Sequence, residues 1–566
     1  MSPTRSAAGS VADTLVAGLR AQGVDRVFCV AGESYLPILD RLYDTAEIEV
    51  VTCRHEASAA FAAVADAKLT GHAGVCLVSR APGATNAAIA AHSAAEDATP
   101  LVLIVGDVST DERGRDSFQE IDCGQLFGGF TKGVWQLAHP PAAAEFLGRA
   151  FRVAESGTPG PVVLTVPEDV LYQRDPGPMS LTPVLAASAT VRSADLAAVA
   201  STVRRARRPL LVAGGLLGSA KARATLRETS ERLLLPILTS NKHQDLFDNR
   251  HPHYAGHLHN NTQAGQRALF ERADVVLAVG TRLDATTTLG HRFPSGSVPD
   301  QALIHVYPDP ARLGARHRPA IALAADPGTF LGSLAQTDPP TDPARVDWID
   351  ELHAFEVEKG RWQQHQADDG VPFGAVITAL DDVTGGDIVV TVDSGTFTSW
   401  LYRYLRLTGN ARMLGVTSSA MGFGVPAAVA AAMRLRRPVV AVVGDGGFLM
   451  TGSELATAVA HDLPLIVLIA NNASYGTIRL HQERTYPGRV IATDLRNPDF
   501  ARLAEAYGCL GLSIAEEADV APVLRRAMGH GGPVVVDVRT SLQWITAYRR
   551  LALTQPLVAA TSPRSL

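Results

Sequence analysis

The chain has 566 residues, which is too long for a single hydrophobic core and predicts about three domains of ordinary size. Hydrophobic residues make up 46% and charged residues 19% of the chain, so a disordered protein is excluded. The net charge of −6 comes without a basic block, which argues against a nucleic-acid partner.

The cysteines and the N-terminal segment bear on the cellular compartment. Five scattered cysteines fit neither a disulfide framework nor a paired metal motif, and we expect buried thiols in a reducing cytoplasm. The first 15 residues lack the apolar core of a signal peptide. Because the sequence has no run of about 18 apolar residues, we expect a cytoplasmic protein without a membrane partner.

The first third of the chain alternates short apolar runs with alanine-rich stretches. Runs that are apolar throughout are typical of parallel strands covered on both faces. The predicted strands are 27–30, 50–53, 75–78, 101–105 and 161–167. A helix is predicted over 57–69, and the alternation indicates an open α/β sheet in a first domain at 1–180.

Two segments rich in proline and small polar residues separate the blocks that follow. Residues 175–193 and 336–345 are predicted to be linkers. They enclose a central domain at 190–335. Its predicted strands are 209–213, 275–279 and 302–306.

The last block is again α/β. We expect a third domain at 346–550, which begins with a polar helix at 348–366, and a C-terminal tail at 551–566. Its predicted strands are 388–392, 439–443, 465–470 and 534–538. The predicted fold class is therefore α/β, with three doubly wound parallel-sheet domains, and the first and third blocks are similar in layout.

Two polar motifs follow neighbouring strands of the third block. Gly-Asp-Gly-Gly at 444–447 comes directly after one strand, and Asn-Asn at 471–472 comes after the next, with 24 residues between Gly446 and Asn471. In open α/β sheets, ligands bind at the carboxyl ends of the strands. Glycines let a backbone approach a phosphate closely, and a helix start predicted near Ser453 would favour an anion.

The oxygen atoms of these motifs suit a metal ion. Asp445 supplies a carboxylate, Asn472 supplies an amide oxygen, and the backbone carbonyl of Ser474 lies just past them. Mg²⁺ prefers such hard oxygen ligands and takes its remaining ligands from phosphate and water. The sequence therefore predicts a Mg²⁺ site that faces a diphosphate.

Together, these motifs resemble the signature of thiamine-diphosphate-dependent enzymes. The resemblance covers essentially the whole chain and implies a pyrimidine-binding first domain, a central domain and a diphosphate-binding third domain. It implies that Asp445, Asn472 and Ser474 hold Mg²⁺. The residues that it implies for cofactor binding are Gly32, Pro82, Asn86, Thr396, Ser419, Met421, Gly444, Gly446, Gly447, Tyr475 and Gly476.

Glu56 follows a predicted strand and opens the alanine-rich helix. A glutamate in a first helical turn is favoured by the helix dipole alone. The resemblance implies a catalytic role for Glu56, at the aminopyrimidine ring of the cofactor. It also implies that Met421 bends the cofactor and that the Ser419 carbonyl receives its amino group. Residues 79–86 are similar to the family's turn around Gly-Pro-Gly, with Ala81 in place of the first glycine.

The segment Phe118-Gln119-Glu120 is similar to the acetolactate synthase group, as are residues 159–162 and 167–170. The resemblance implies a 2-keto acid decarboxylase/carboligase, of which an acetolactate synthase-like condensation of pyruvate with a second carbonyl is the leading case. The presence of Glu56 argues against a glyoxylate carboligase, which has an apolar residue at this place.

The segment after the metal motif departs from that group. Residues 472–482 lack the tryptophan of biosynthetic acetohydroxyacid synthases, and their Tyr-Gly-x-x-Arg pattern is closer to benzoylformate decarboxylase. An aldehyde-releasing 2-keto acid decarboxylase or a benzoin-type lyase is therefore the alternative, and a non-catalytic protein of the same fold is a remote third. The candidate substrate-facing residues are Phe118, Gln119, Tyr475 and His481.

The assembly and a second cofactor stay open at this point. The family places its active site between the first domain of one subunit and the third domain of another, so the resemblance implies a homodimer or a homotetramer. Some acetolactate synthases carry FAD in the central domain, and Gly214-Gly215 after a predicted strand leaves FAD open. We expect solvent-exposed or substrate-channel histidines, rather than metal ligands, at His251, His253, His257 and His259.

Overall fold

The computed structural model describes residues 9–175, 182–183 and 187–552. The chain divides into two compact units, Met1–Ala189 with Val416–Ala430, and Thr190–Gly415 with Ala431–Leu566. Most of the predicted tail and part of the first predicted linker lie outside the described residues. Within the described ranges, no helix has the length and apolar character needed to cross a membrane.

The first unit contains a six-stranded parallel sheet in the order β2-β1-β3-β4-β6-β5. Its strands are β1 (Arg26–Cys29), β2 (Glu49–Thr52), β3 (Gly74–Ser79), β4 (Leu101–Asp107), β5 (Gly133–Gln136) and β6 (Pro161–Pro167). Its helices are α1 (Val11–Ala21), α2 (Leu36–Tyr43), α3 (Glu56–Thr70), α4 (Arg80–Asp97), α5 (Cys123–Phe127), α6 (Ala143–Glu155) and α7 (Glu168–Tyr172). All five predicted strands are confirmed. The sixth strand, β5, was not predicted, because it is half-buried and has no apolar run.

Helix α3 shows why the alanine-rich stretch of this unit is helical. The His55 ring caps it by accepting a hydrogen bond of 3.1 Å from the Ala57 amide, and it ends at Gly71. Every residue from 57 to 67 is buried. Alanine combines high helix propensity with a small side chain, so α3 packs closely against the sheet and α4.

The second unit contains two sheets, of which the first is the central one, ordered β12-β11-β10-β7-β8-β9. Its strands are β7 (Pro209–Ala213), β8 (Ile237–Thr239), β9 (Tyr254–His257), β10 (Val275–Val279), β11 (Ala302–Tyr307) and β12 (Ile321–Ala324). Its helices are α8 (Ser193–Arg205), α9 (Ala220–Leu233), α10 (Ala264–Phe270), α11 (Pro327–Ala335) and α12 (Ala344–Lys359). The three predicted strands are confirmed, and the three that prediction missed have three or four residues each.

Helix α12 differs from the predicted polar helix at 348–366. It begins four residues earlier and ends before Gly360. Trp348 and Leu352 lie in the apolar core of the central sheet, and the Trp348 indole donates a 2.9 Å hydrogen bond to the Pro209 carbonyl. Polar residues dominate the sequence of this helix, but an apolar stripe along one side packs on the central sheet.

The second sheet of this unit has the order β14-β13-β15-β16-β18-β17. Its strands are β13 (Val389–Val392), β14 (Arg412–Leu414), β15 (Val439–Gly444), β16 (Leu465–Asn471), β17 (Leu510–Ile514) and β18 (Val534–Arg539). The helices in this part of the chain are α13 (Phe373–Thr384), α14 (Thr398–Tyr404), α15 (Gly424–Leu435), α16 (Asp445–Thr451), α17 (Leu455–Ala460), α18 (Gly476–Thr485), α19 (Phe500–Tyr507) and α20 (Val520–Met528). The four predicted strands are confirmed.

The first and third sheets share one strand order. Counted from the start of each sheet, both read 2-1-3-4-6-5, whereas the central sheet reads 3-2-1-4-5-6. The similar layout expected for the first and third blocks is therefore confirmed. The central order is that of dinucleotide-binding α/β folds, and all three sheets are parallel, as expected for the α/β class.

Candidate functional site

The two polar motifs of the third sheet leave it side by side. Strands β15 and β16 pair so that Gly444 lies opposite Ala470, and the residues that follow emerge at the same edge. Asp445 opens α16 directly after its strand, whereas the helix start predicted near Ser453 corresponds to the later helix α17 at Leu455. Asp445 is only 3% exposed.

Asp445 is held by hydrogen-bond donors rather than by a cation. Burial raises its pKa to about 6, while hydrogen bonds from Asn497 and from backbone amides at Gly446, Ser474 and Ala473 act in the opposite direction. The amide of Gly446 donates to Oδ1 at 2.9 Å. Among the described residues, no lysine or arginine forms an ion pair with this carboxylate, so its negative charge is available to a ligand.

Residues 472–475 form a turn beside Asp445. The Asn472 side-chain oxygen accepts from the Ser474 amide at 3.1 Å, and the Ser474 carbonyl accepts from the Gly476 amide at 2.7 Å. The buried Ser474 hydroxyl donates to the Thr493 carbonyl at 3.0 Å. The backbone amides of Ala473 and Ser474 reach the Asp445 carboxylate, so the turn that carries these two oxygens lies beside it.

This set of oxygen atoms fits Mg²⁺. It combines one buried carboxylate that lacks a cationic partner with two neutral oxygens, and it contains no sulfur or imidazole. Mg²⁺ accepts few protein ligands of this kind and keeps water and phosphate oxygens as the rest. A buried carboxylate in this setting is stabilised by a bound cation.

The glycines around the turn pack closely against neighbouring side chains. A Cβ added to Gly446 would lie 2.5 Å from Cε1 of Tyr475, and one added to Gly476 would lie 3.0 Å from Nδ2 of Asn472. At Gly444, the Phe397 ring would be 3.2 Å away. These close approaches put the half-buried Tyr475 ring directly against the start of α16.

The other residues predicted in this unit lie along the same elements. The Thr396 amide donates to the Thr477 hydroxyl at 3.1 Å, which ties residue 396 to the start of α18, and Gly447 is buried in the first turn of α16. His481 is exposed further along α18, where its Nδ1 accepts from Arg484 at 3.0 Å.

In the first unit, Glu56 and Asn86 form a pair. Glu56 is the first residue of α3, and the Asn86 side-chain amide donates to its Oε2 at 2.9 Å. Residues 79–86 do not form a separate turn, as the resemblance had implied, but the start of α4. Arg80, with φ of 43°, makes the switch from strand to helix, and Pro82 is exposed in the first turn.

The remaining predicted residues near this pair are Gly32, Phe118 and Gln119. A Cβ at Gly32 would lie 2.4 Å from that of Ser79, so Gly32 is pressed against the end of β3. The Gln119 carbonyl accepts from the Ala81 amide at 3.0 Å, which places this loop at the start of α4. The neighbouring Phe118 side chain is 74% exposed.

The segment with Ser419 and Met421 belongs to the same unit, although it lies far along the chain. The Thr417 amide and hydroxyl both donate to Asp97 Oδ1, at 2.8 and 2.6 Å. Ser419 is exposed with φ of 57°, and Met421 is half-buried. Asp97, at the end of α4, is thus an anchor that sequence reasoning did not find.

The histidines at 251–259 do not match the expectation of solvent exposure. His257 and His259 are buried, their rings stack at a centroid distance of 5.3 Å, and the Tyr402 ring lies 4.6 Å from His257. His251 contacts Glu231 instead, at 3.1 Å. Strand β9 carries His257 into the protein interior, which the loose spacing of the histidines did not reveal.

Three family models of known proteins match separate segments of this chain. Models of thiamine pyrophosphate enzymes match the chain at 9–126 (N-terminal TPP binding domain), 196–334 (central domain) and 393–538 (C-terminal TPP binding domain). The chain therefore belongs to the thiamine pyrophosphate enzyme family, as its motifs predicted, and is a thiamine-diphosphate-dependent enzyme.

Within the family, the chain is similar to acetolactate synthases. It is 32% identical to the acetolactate synthase isozyme 2 large subunit of Escherichia coli, covering 93% of this chain and 95% of the relative. It is 31% identical to an acetolactate synthase of Mycobacterium bovis, over 93% and 87% of the two chains. The acetolactate synthase large subunit of Corynebacterium glutamicum is 30% identical, over 93% and 86%.

Proposed function

We propose that the protein is a Mg²⁺-dependent 2-keto acid decarboxylase/carboligase that condenses pyruvate with a second carbonyl compound, as in acetolactate formation. The observation that carries the proposal is the buried Asp445 carboxylate beside the oxygens of Asn472 and Ser474 at the ends of adjacent strands. Similarity to acetolactate synthases over 93% of the chain supports the choice of reaction.

The third sheet would hold the metal and the diphosphate. Asp445, Asn472 and the Ser474 carbonyl would ligate Mg²⁺, with the backbone at 444–447 and residues Thr396, Tyr475 and Gly476 around the diphosphate. When bound, thiamine diphosphate supplies the nucleophilic carbon and the electron sink for the reaction. The protein contributes the position and the charge of the groups around it.

Glu56 would act at the pyrimidine ring. Its Oε2 accepts from Asn86, so the carboxyl group has a fixed orientation and its second oxygen can exchange a hydrogen bond with a ring nitrogen. Gly32, Pro82 and Asn86 would border the same ring, and the Ser419 carbonyl would accept from its amino group. The half-buried Met421 would hold the bent shape of the cofactor by contact alone.

The candidate substrate-facing residues would be Tyr475 and His481 in the second unit, and Phe118 and Gln119 in the first. The Arg479 of the Tyr-Gly-x-x-Arg pattern is excluded from this role, because its guanidinium is buried in ion pairs with Glu483 and Asp494. The arginine of the pattern that this segment shares with benzoylformate decarboxylase therefore has a structural role here and does not bind substrate.

FAD stays open in this proposal. The His243 ring lies over the Gly214-Gly215 turn, and a Cβ at Gly215 would be 2.4 Å from its Nε2. A side chain of the protein thus already occupies the space next to the turn that left FAD open. Absorbance and fluorescence spectra of the purified protein decide whether a flavin is bound.

Product analysis tests the reaction. The protein is supplied with thiamine diphosphate and Mg²⁺, and offered pyruvate alone or with an aldehyde, and the products are identified by mass spectrometry. Acetolactate or a mixed acyloin supports the proposal, whereas free aldehyde supports the decarboxylase alternative. Failure to consume pyruvate, with the cofactor demonstrably bound, would contradict pyruvate as the donor.

We also propose a cytoplasmic homo-oligomer, either a dimer or a tetramer. The family resemblance supports oligomerisation, and the five cysteines are all free and buried, which suits a reducing compartment. Light scattering of the purified protein gives the mass directly. A monomer in the presence of cofactor would contradict the assembly.

A further inference from the structure

Asn497 contacts the predicted metal site from a distant part of the chain. Its side-chain nitrogen donates to Asp445 Oδ2 at 2.8 Å and to Asn471 Oδ1 at 2.9 Å. Asn471 in turn donates from Nδ2 to Asp537 Oδ1 at 2.9 Å. Two neutral amides therefore connect the carboxylates of Asp445 and Asp537.

The orientation of the Asn497 amide is fixed by its neighbours. Both groups next to Nδ2 are oxygen atoms, so the nitrogen rather than the oxygen of Asn497 must face them. Asp537 fixes Asn471 in the same way, because a carboxylate accepts only from the Asn471 nitrogen and leaves its oxygen toward Asn497. The network thus delivers a hydrogen-bond donor to Asp445.

The other end of the amide is unsatisfied. Asn497 Oδ1 is buried, and no described residue gives it a hydrogen bond. An unpaired buried acceptor costs about 1–3 kcal/mol, so such atoms normally meet a donor that a bare protein lacks. A water molecule on a metal ion at Asp445 is a donor of this kind, since Mg²⁺ keeps several waters.

The loop that carries Asn497 is bound to the turn with the predicted ligands. The Leu495 amide donates to the Ala473 carbonyl, and the Tyr475 amide donates to the Thr493 carbonyl, both at 2.8 Å. Asn497 is therefore held in a fixed place relative to residues 472–475.

We infer that Asn497 is a positioning residue for the metal, which orients the Asp445 carboxylate through Nδ2 and whose unpaired Oδ1 would accept a hydrogen bond from water at the occupied site. The inference rests on the proposed Mg²⁺ site and adds a residue to it. Because Asn497 is neutral, it orients the carboxylate without cancelling the charge that attracts the cation. Outer-shell partners of this kind contribute about 10- to 100-fold to metal affinity.

Metal affinity, rather than turnover, tests this role. MgCl₂ is titrated by calorimetry into metal-free protein saturated with thiamine diphosphate, and thermal stability is measured without metal. We expect Asn497→Ala to bind Mg²⁺ about 10- to 100-fold more weakly. Asn497→Ser keeps a hydrogen-bond donor on a shorter side chain, so its Mg²⁺ affinity should lie between those of the wild type and Asn497→Ala. This variant also covers the case in which Asn497→Ala does not fold.

Asp494→Asn is the matched control. It weakens the ion pair with Arg479 in the same loop, and it should lower thermal stability while Mg²⁺ affinity stays within about 2-fold of the wild type. If the Asn497 variants fold and lose stability but bind Mg²⁺ like the wild type, the inference is wrong and Asn497 only stabilises the loop. If the wild type itself binds no Mg²⁺, the proposed metal site fails together with this inference.

Discussion

Asn86 donates a hydrogen bond of 2.9 Å to the Glu56 carboxylate, and this bond joins the second turn of α4 to the first turn of α3. Glu56 is therefore not a freely rotating surface side chain. Its orientation depends on a residue 30 positions away in sequence, which itself lies in the predicted cofactor-binding set.

The first prediction concerns this glutamate. Glu56→Gln should lower kcat/KM by about 10²- to 10⁴-fold, because an amide cannot exchange the proton that a carboxyl group can. The fold should persist, since the glutamine oxygen still accepts from Asn86. Glu145→Gln is the control, because Glu145 is an exposed glutamate in the first turn of α6. Equal activity of Glu56→Gln and the wild type would remove Glu56 from the catalytic site.

A second prediction concerns Gly446. Gly446→Ala should displace the Tyr475 ring and reduce activity by at least about 10-fold, since its Cβ would lie 2.5 Å from that ring. Gly409→Ala provides the comparison, because the nearest atom to its Cβ, from Asp248, is 3.9 Å away. Steady-state kinetics with cofactor titration separates weaker cofactor binding from slower turnover. Similar behaviour of the two variants would contradict the packing argument.

The third prediction is a loss of stability in acid from the buried histidines. Burial lowers the pKa of His259 to about 3 and also lowers the pKa of His257, with the nearby Lys359 acting in the same direction. Below a pH of about 6.5, these histidines bind protons in the unfolded chain but stay neutral in the folded protein. Stability should therefore fall between about pH 6.5 and 3, by up to about 1.4 kcal/mol per pH unit for each histidine.

Denaturant unfolding at several pH values measures this slope. A double variant, His257→Leu with His259→Leu, should flatten the slope even where it changes the stability itself. The exposed His530, replaced by leucine, should leave the slope unchanged. A double variant as sensitive to acid as the wild type would show that other groups govern the response.

Arg479 gives a fourth prediction, about stability. The guanidinium and the Glu483 carboxylate are both about 1% exposed and lie 2.9 Å apart. Arg479→Met should cost about 3–5 kcal/mol, because it leaves a buried charge without its partner. Arg502→Met removes an exposed pair with Asp499 and should cost less than about 1 kcal/mol. Equal free energies of unfolding for the two variants would contradict the role of burial.

Features that depend on local sequence patterns could be predicted from the sequence alone. Strands β15 and β16 are uninterrupted apolar runs that end in Gly444 and Asn471, so both the sheet and the polar residues at its edge could be predicted. Helix α16 was missed, because the two glycines after Asp445 have low helix propensity and conceal its start.

Residues that act across long sequence separations were also missed. Asn497 lies 52 residues from Asp445, and Asp97 lies 320 residues from Thr417. Single asparagines and aspartates of this kind carry no periodicity and no motif. Only the folded chain reveals which of them meet the predicted site.

The common strand order of the first and third sheets has a consequence for ancestry. In each sheet, the residue directly after the third strand opens a helix: Arg80 after β3 and Asp445 after β15. Arg80 is paired with Glu33 and Glu168, whereas Asp445 lacks any such counter-charge among the described residues. Duplication of one ancestral gene segment would generate both sheets, and divergence at this inherited position would then have given one copy a neutralised cation and the other an unneutralised anion.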